Sequence, residues 1–190
     1  MVSENDILKA KDPVDKARDL IAESGDLSRG KAKKLFELPF TGLVDEIDSE
    51  TLSYVFDSAV EESTVNDRIM WNGAFNSYAA TMNLIKIIRK PGDFVEGSGG
   101  SYAQEVMTAP NRMGMVYALL RKHKDMSASD VQSILEIAHS TALIGLSNAA
   151  RDAVFLFATD RGVSWFEVAT QYDTVIDIVQ RVKRPLYEHL

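Results

Sequence analysis

Three stretches of this chain repeat apolar residues at alternating spacings of three and four, and that period leaves few folds open. Trp71, Phe75, Tyr78, Met82 and Ile85 form the first row. Val131, Leu135, Ala138, Ala142, Gly145 and Ala149 form the second, and Trp165, Val168, Tyr172, Val175, Val179 and Val182 the third. A period near 3.6 is that of an α-helix, and an apolar row along one helix face must be covered by another element. The third row lies in a Val- and Ile-rich stretch that favours strand by propensity. Period outranks propensity here, and a helix is expected. Three such seams predict helices packed at shallow crossing angles, an all-α, elongated bundle of about seven or eight helices.

Punctuation along the chain supports this count. Asp12-Pro13 reads as an N-cap followed by a first-turn proline, with Gly25 as the stop. Ser28 is expected to cap a short basic helix ending before Pro39, and Ser49 another running to about Glu62. Thr64-Val-Asn-Asp67 has capping-box spacing, with a helix after it as far as Lys90. Asn111 to His123 is a further candidate. Ser127-Ala-Ser-Asp130 opens the most apolar segment, and Ser164-Trp-Phe-Glu167 is a full capping box whose helix stops before Pro185. Helices over 64–90 and 128–158 would be about 40 and 46 Å long, against a radius of gyration of about 16 Å for a compact domain of this length. Either the bundle is elongated or the helices break, with Gly73 and Gly145-Leu-Ser-Asn148 the expected break points and Ser147 or Asn148 able to cap the helix anew. The second row is small-sided, and its helix, apolar nearly all round, is expected at the centre. Residues 91–100, Pro-Gly-Asp-Phe-Val-Glu-Gly-Ser-Gly-Gly, read as a Gly-rich loop between helices.

Charge divides the chain unevenly. Residues 1–62 carry fifteen acidic and eight basic side chains, whereas residues 63–190 carry thirteen of each, so the net −7 belongs to the first third. The division suggests an acidic N-terminal helical arm or subdomain, 1–62, on a neutral body, 63–190. Cysteine is absent, which excludes disulfides, thiol catalysis, Fe–S clusters and Cys-type zinc sites. The polar, acidic start does not resemble a secretory leader, and the uncharged run 137–150 is too short to span a bilayer. A soluble protein of the cytoplasm or cell interior is expected, with no membrane partner.

No local motif marks an enzyme. Gly97-Ser-Gly-Gly100 has neither the Lys-Ser/Thr of a phosphate-binding loop nor the strand before it. Glu136 and His139 have the spacing used by di-iron bundles, but such sites need the motif twice. A satisfied histidine on an apolar helix is the simpler expectation. No cofactor and no metal are expected, and no catalytic residue is assigned.

The basic clusters carry the functional signal. Lys86, Arg89 and Lys90, then Arg121, Lys122 and Lys124, then Arg181, Lys183 and Arg184 fall at expected helix C-termini, where the helix dipole favours cations. If those ends converge, they make a positive patch for a phosphate backbone or an acidic partner. Trp71, Tyr102 and Tyr117 are candidate stacking partners. Arg151 and Arg161, beside Asp152 and Asp160, are expected in buried or interfacial ion pairs, with phosphate contact as the lesser role. Arg29, Lys33, Lys34, Phe94 and Val95 are candidate assembly contacts.

The leading expectation is a non-enzymatic structural subunit, nucleocapsid- or coat-like, that self-assembles and holds single-stranded nucleic acid; a virion location would follow. The alternatives are a helical adaptor or regulator binding a partner protein, and an enzyme with an interhelical site lacking local motifs.

Overall fold

A computed structural model describes residues 4–25, 27–90 and 102–183. Among these the chain is all-α: eight helices of nine residues or more carry the fold, with shorter helical turns between them. The only strands described form a hairpin of four paired residues. Packing divides the chain into two compact units, Met1–Lys86 and Ile87–Leu190.

The first unit holds α1 (Glu4–Leu8), α2 (Pro13–Glu23), α3 (Arg29–Glu37), a 3-10 turn at Leu38–Phe40, α4 (Thr41–Val44), α5 (Ser49–Glu62), the hairpin strands β1 (Thr64–Val65) and β2 (Arg68–Ile69), and α6 (Trp71–Ile88), whose last turn contains the division. Asp12 caps α2 by accepting from the Val14 and Asp15 amides, and Ser28 caps α3 by accepting from Lys31. The core is aromatic. Phe36, fully buried, meets Phe56, Phe75 and Tyr78 at 5.2–5.5 Å between ring centroids. Charge therefore changes at residue 62 while packing changes at residue 86: Phe36 of the acidic segment shares a core with Phe75 and Tyr78 of α6.

Three expectations fail in this unit. The cap of α5 is Asp48, not Ser49; its carboxylate accepts from the Thr51 amide at 2.8 Å and from the Thr51 hydroxyl at 2.8 Å. Thr64-Val-Asn-Asp67 opens no helix. Asn66 and Asp67 take positive φ (48° and 60°), so the four residues turn a hairpin pairing Thr64 with Ile69 and Val65 with Arg68. Asn and Asp tolerate this left-handed conformation better than other side chains, and two in succession make the tight turn that matches strand twist. Gly73 does not break α6; a Cβ there would lie 3.2 Å from the Ser63 hydroxyl, so the glycine lets α6 approach the residue ending α5.

The second unit holds α7 (Ala103–Thr108), α8 (Arg112–Lys122), α9 (Ala128–Ala138), α10 (Ser140–Leu143), α11 (Asn148–Thr159) and α12 (Trp165–Lys183). The third seam is the spine of α12: Val168, Tyr172, Val175, Val179 and Val182 are all buried. The second row fails as one helix. The chain breaks after Ala138 and again at 144–147, within the expected stretch Gly145-Leu-Ser-Asn148, where Gly145 takes φ +80° and Ser147 recaps by accepting from Ala150. The break turns Gly145 and Ala149 to solvent, and Ile134, Leu135, Leu143, Leu146 and Ala150 fill the core instead. Lysine closes this break: the Lys183 ammonium, on the last residue of α12, donates to the Ala142 and Ile144 carbonyls.

Candidate docking groove at the start of the last helix

The turn from α11 into α12 is built by close backbone approach. Gly162 donates to the Ala158 carbonyl, and its Cα faces α12 so closely that a Cβ would meet the Val168 nitrogen at 2.5 Å. Ser164 then caps α12, accepting from the Glu167 amide, while Glu167 reaches back to accept from Val163. The expected capping box forms, its return bond landing one residue before the cap. Trp165 is fixed by its indole N–H, which donates to the Met126 carbonyl at 3.0 Å.

This turn and the end of α8 enclose a groove of about 680 Å³, within the size range of ligand and anchor-residue pockets. Its apolar walls include Leu120, Val163, Trp165 and Phe166, and its charged side chains are Arg121 and Lys124. Val163, in the turn, is 95% exposed, and Phe166, on the face of α12 opposite the seam, 41%; on α11, Leu156 is 60% exposed. The Phe166 ring is shared by Tyr117, at 4.8 Å between centroids, and by the Arg121 guanidinium, 5.5 Å above it. The titratable groups lining the groove are both cations, and the Ser164 hydroxyl is engaged as a cap. Apolar walls beside two cations suit an apolar segment of negative charge; the Thr159 hydroxyl, also in the lining, donates to the Leu156 carbonyl.

The other candidate cations lie elsewhere. Lys122 is exposed at the end of α8 but outside the lining. Arg151, which was expected to pair with its neighbour Asp152, reaches Glu136 at 3.7 Å and the Leu143 carbonyl at 3.2 Å. Adjacent residues on a helix point about 100° apart, and Asp152 accepts instead from Gln132. Arg161 lies 3.6 Å over the Phe157 ring. Lys183 is turned inward onto carbonyls, and burial, helped by Arg151, lowers its pKa. Arg181 and Arg89 are half-buried, Lys86 and Lys90 exposed. In the first unit Arg29 pairs with Asp57 at 2.5 Å, Lys33 with Glu37 at 2.5 Å, and Lys34 is exposed. Phe94, Val95, Arg184 and the expected loop 91–100 lie outside the described residues.

Of the expected stacking residues, Tyr117 supports the groove, Tyr102 stacks on His123 at 4.9 Å, and Trp71 joins the Phe36 cluster at 6.3 Å. His139 sits at the junction of α9 and α10. Its Nε2 lies 3.3 Å from an Asp173 oxygen, outside hydrogen-bonding geometry, and its ring packs on Tyr172 at 5.7 Å. Burial lowers the His139 pKa, with Asp173 and Asp177 opposing. Glu136 is committed to Gln132 and Arg151. Among the described residues no three His, Asp or Glu side chains gather as metal ligands, and no helix is long and apolar enough to cross a membrane.

Val163, Phe166 and Gly162 were not singled out from sequence. The available signal was Phe166, an aromatic standing off the seam of its own helix, beside an isolated valine between Gly162 and Ser164. No protein-family model, curated protein or solved structure matches this chain.

Proposed function

We propose that this chain is a non-enzymatic structural subunit that associates with copies of itself, docking a protein segment in the groove between α8 and α12. The observation that carries the reading is the lining: Val163 and Phe166 stand exposed beside Arg121 and Lys124 around one concavity. Covering apolar surface yields about 25 cal/mol per Å², and the two cations favour acidic partners and disfavour basic ones. As a nucleocapsid- or coat-like subunit it would act in the cytoplasm and in the particle it builds.

Single-stranded nucleic acid is the second reading of the same groove, favoured by cations beside aromatic rings. The first is preferred on three grounds. Phe166 is already shared by Tyr117 and Arg121, the Trp165 indole N–H is spent on Met126, and Val163 offers a phosphate nothing.

Size-exclusion chromatography with light scattering, over a concentration series at low and high salt, tests the proposal. Self-association should appear, and Val163→Asp with Phe166→Asp should weaken it about tenfold or more. A monomer at every concentration overturns the reading. Retention of nucleic acid through purification, read by the 260/280 nm ratio and lost in Arg121→Glu, would favour the second.

A further inference from the structure

We infer that the groove's occupant is the stretch Asp93, Phe94, Val95 and Glu96 of a second copy of this chain; the inference rests on reading the groove as a protein-docking surface. The first ground is complementarity. Two adjacent apolar side chains, one a large aromatic, stand between two carboxylates. The groove presents Leu120, Val163, Trp165 and Phe166 to the former, and Arg121 and Lys124 to the latter. The second is position. Tyr102, six residues beyond Glu96, is stacked on His123, which lies between Arg121 and Lys124 in sequence. A chain spans at most about 3.3–3.6 Å per residue, so Glu96 is tethered within about 22 Å of Tyr102 and Asp93 within about 32 Å, a reach that starts beside the groove's cationic rim. Two copies facing each other about a two-fold axis can then exchange stretch for groove in both directions, the self-complementary geometry of most dimers. Each direction desolvates one aromatic anchor and brings two charge pairs to the rim.

A charge-reversal exchange in the full-length chain tests this. Arg121→Glu with Lys124→Glu makes the groove acidic; Asp93→Lys with Glu96→Lys makes the stretch basic. Each double variant alone should associate about tenfold more weakly than wild type, or worse. An equimolar mixture of the two should recover wild-type association, because every groove then finds a stretch of opposite charge. Helical circular dichroism, unchanged in both variants, excludes misfolding as the cause of loss. Loss in the groove variant with wild-type behaviour in the stretch variant overturns this occupant and leaves the docking groove standing. Loss in both without recovery on mixing overturns the pairing between copies, including by assigning the stretch to its own chain. Wild-type association in both variants overturns the occupant and the groove together.

Discussion

Replacing Gly162 with alanine places a methyl carbon 2.5 Å from the Val168 nitrogen, 2.8 Å from its Cγ2 and 2.9 Å from its Cα. Ordinary contact begins near 3.4 Å, so the turn would have to retreat by roughly 1 Å. The obstacle is backbone of α12 and a buried side chain of its seam, neither of which can swing away. Overpacking of this kind costs about 1–3 kcal/mol. For a unit of about 100 residues that is a fall of several degrees or more in melting temperature, since 1 kcal/mol is worth about 4–8 °C. The retreat would also carry Val163 and the Ser164 cap with it, so self-association should weaken in step. Urea and thermal unfolding followed by circular dichroism measure the first effect, light scattering the second. Gly30→Ala is the control: a Cβ there meets nothing within 4 Å, the residue is helical, and the change should be neutral or stabilising. If Gly162→Ala unfolds within about 0.5 kcal/mol of wild type, the close approach is not what holds the turn.

Removing the cap of α12 by Ser164→Ala should cost about 1 kcal/mol in urea unfolding. Phe36→Ala should cost about 3–5 kcal/mol by the same measurement, because it empties the centre of the aromatic cluster. Hydrogen bonds from the Thr51 backbone, then opposed by burial, hold the Asp48 carboxyl below its usual range. Its contribution is therefore present above about pH 4 and lost as pH falls further; Asp48→Ala should be less stable than wild type at pH 7, and the gap should close in strong acid. The His139 imidazole has its pKa lowered mainly by burial, so the unfolded chain takes up that proton first. Stability should fall as pH drops below about 6.5, and His139→Gln should flatten that slope; an unchanged slope refutes the assignment.

Legibility in the sequence followed the range of the interaction. The first and third seams were readable because each is one uninterrupted helix burying one face, and the period survives intact. Capping at Asp12, Ser28, Ser127, Ser147 and Ser164 is local, confined to three or four residues, and it too could be read. The second row misled because a small-residue stripe keeps its period through a break: Gly145 and Ala149 fit a helical row but stand exposed in the structure. Thr64-Val-Asn-Asp67 misled because one four-residue pattern serves both a helix cap and a hairpin turn; the two successive positive-φ positions decide it. The groove was legible only in part. Arg121 and Lys124 stood out as charge, but their nearness to Val163 and Phe166, some forty residues away, is tertiary and leaves no local mark.

Two irregular backbone stretches of the second unit, 144–147 and 160–164, lie at opposite ends of one helical pair. Helix α11 starts from the first and ends at the second; α12 starts at the second and returns its last residue, Lys183, to the first. The two helices act as antiparallel rails about 18 and 28 Å long, locked at one end by Gly162 against Val168 and at the other by an ammonium between carbonyls. A slip of α12 along its axis cannot loosen the groove without dragging the lysine off its seat. A ligand pressing on Trp165 and Phe166 therefore works against the strength of a joint at the far end of the longest helix among the described residues.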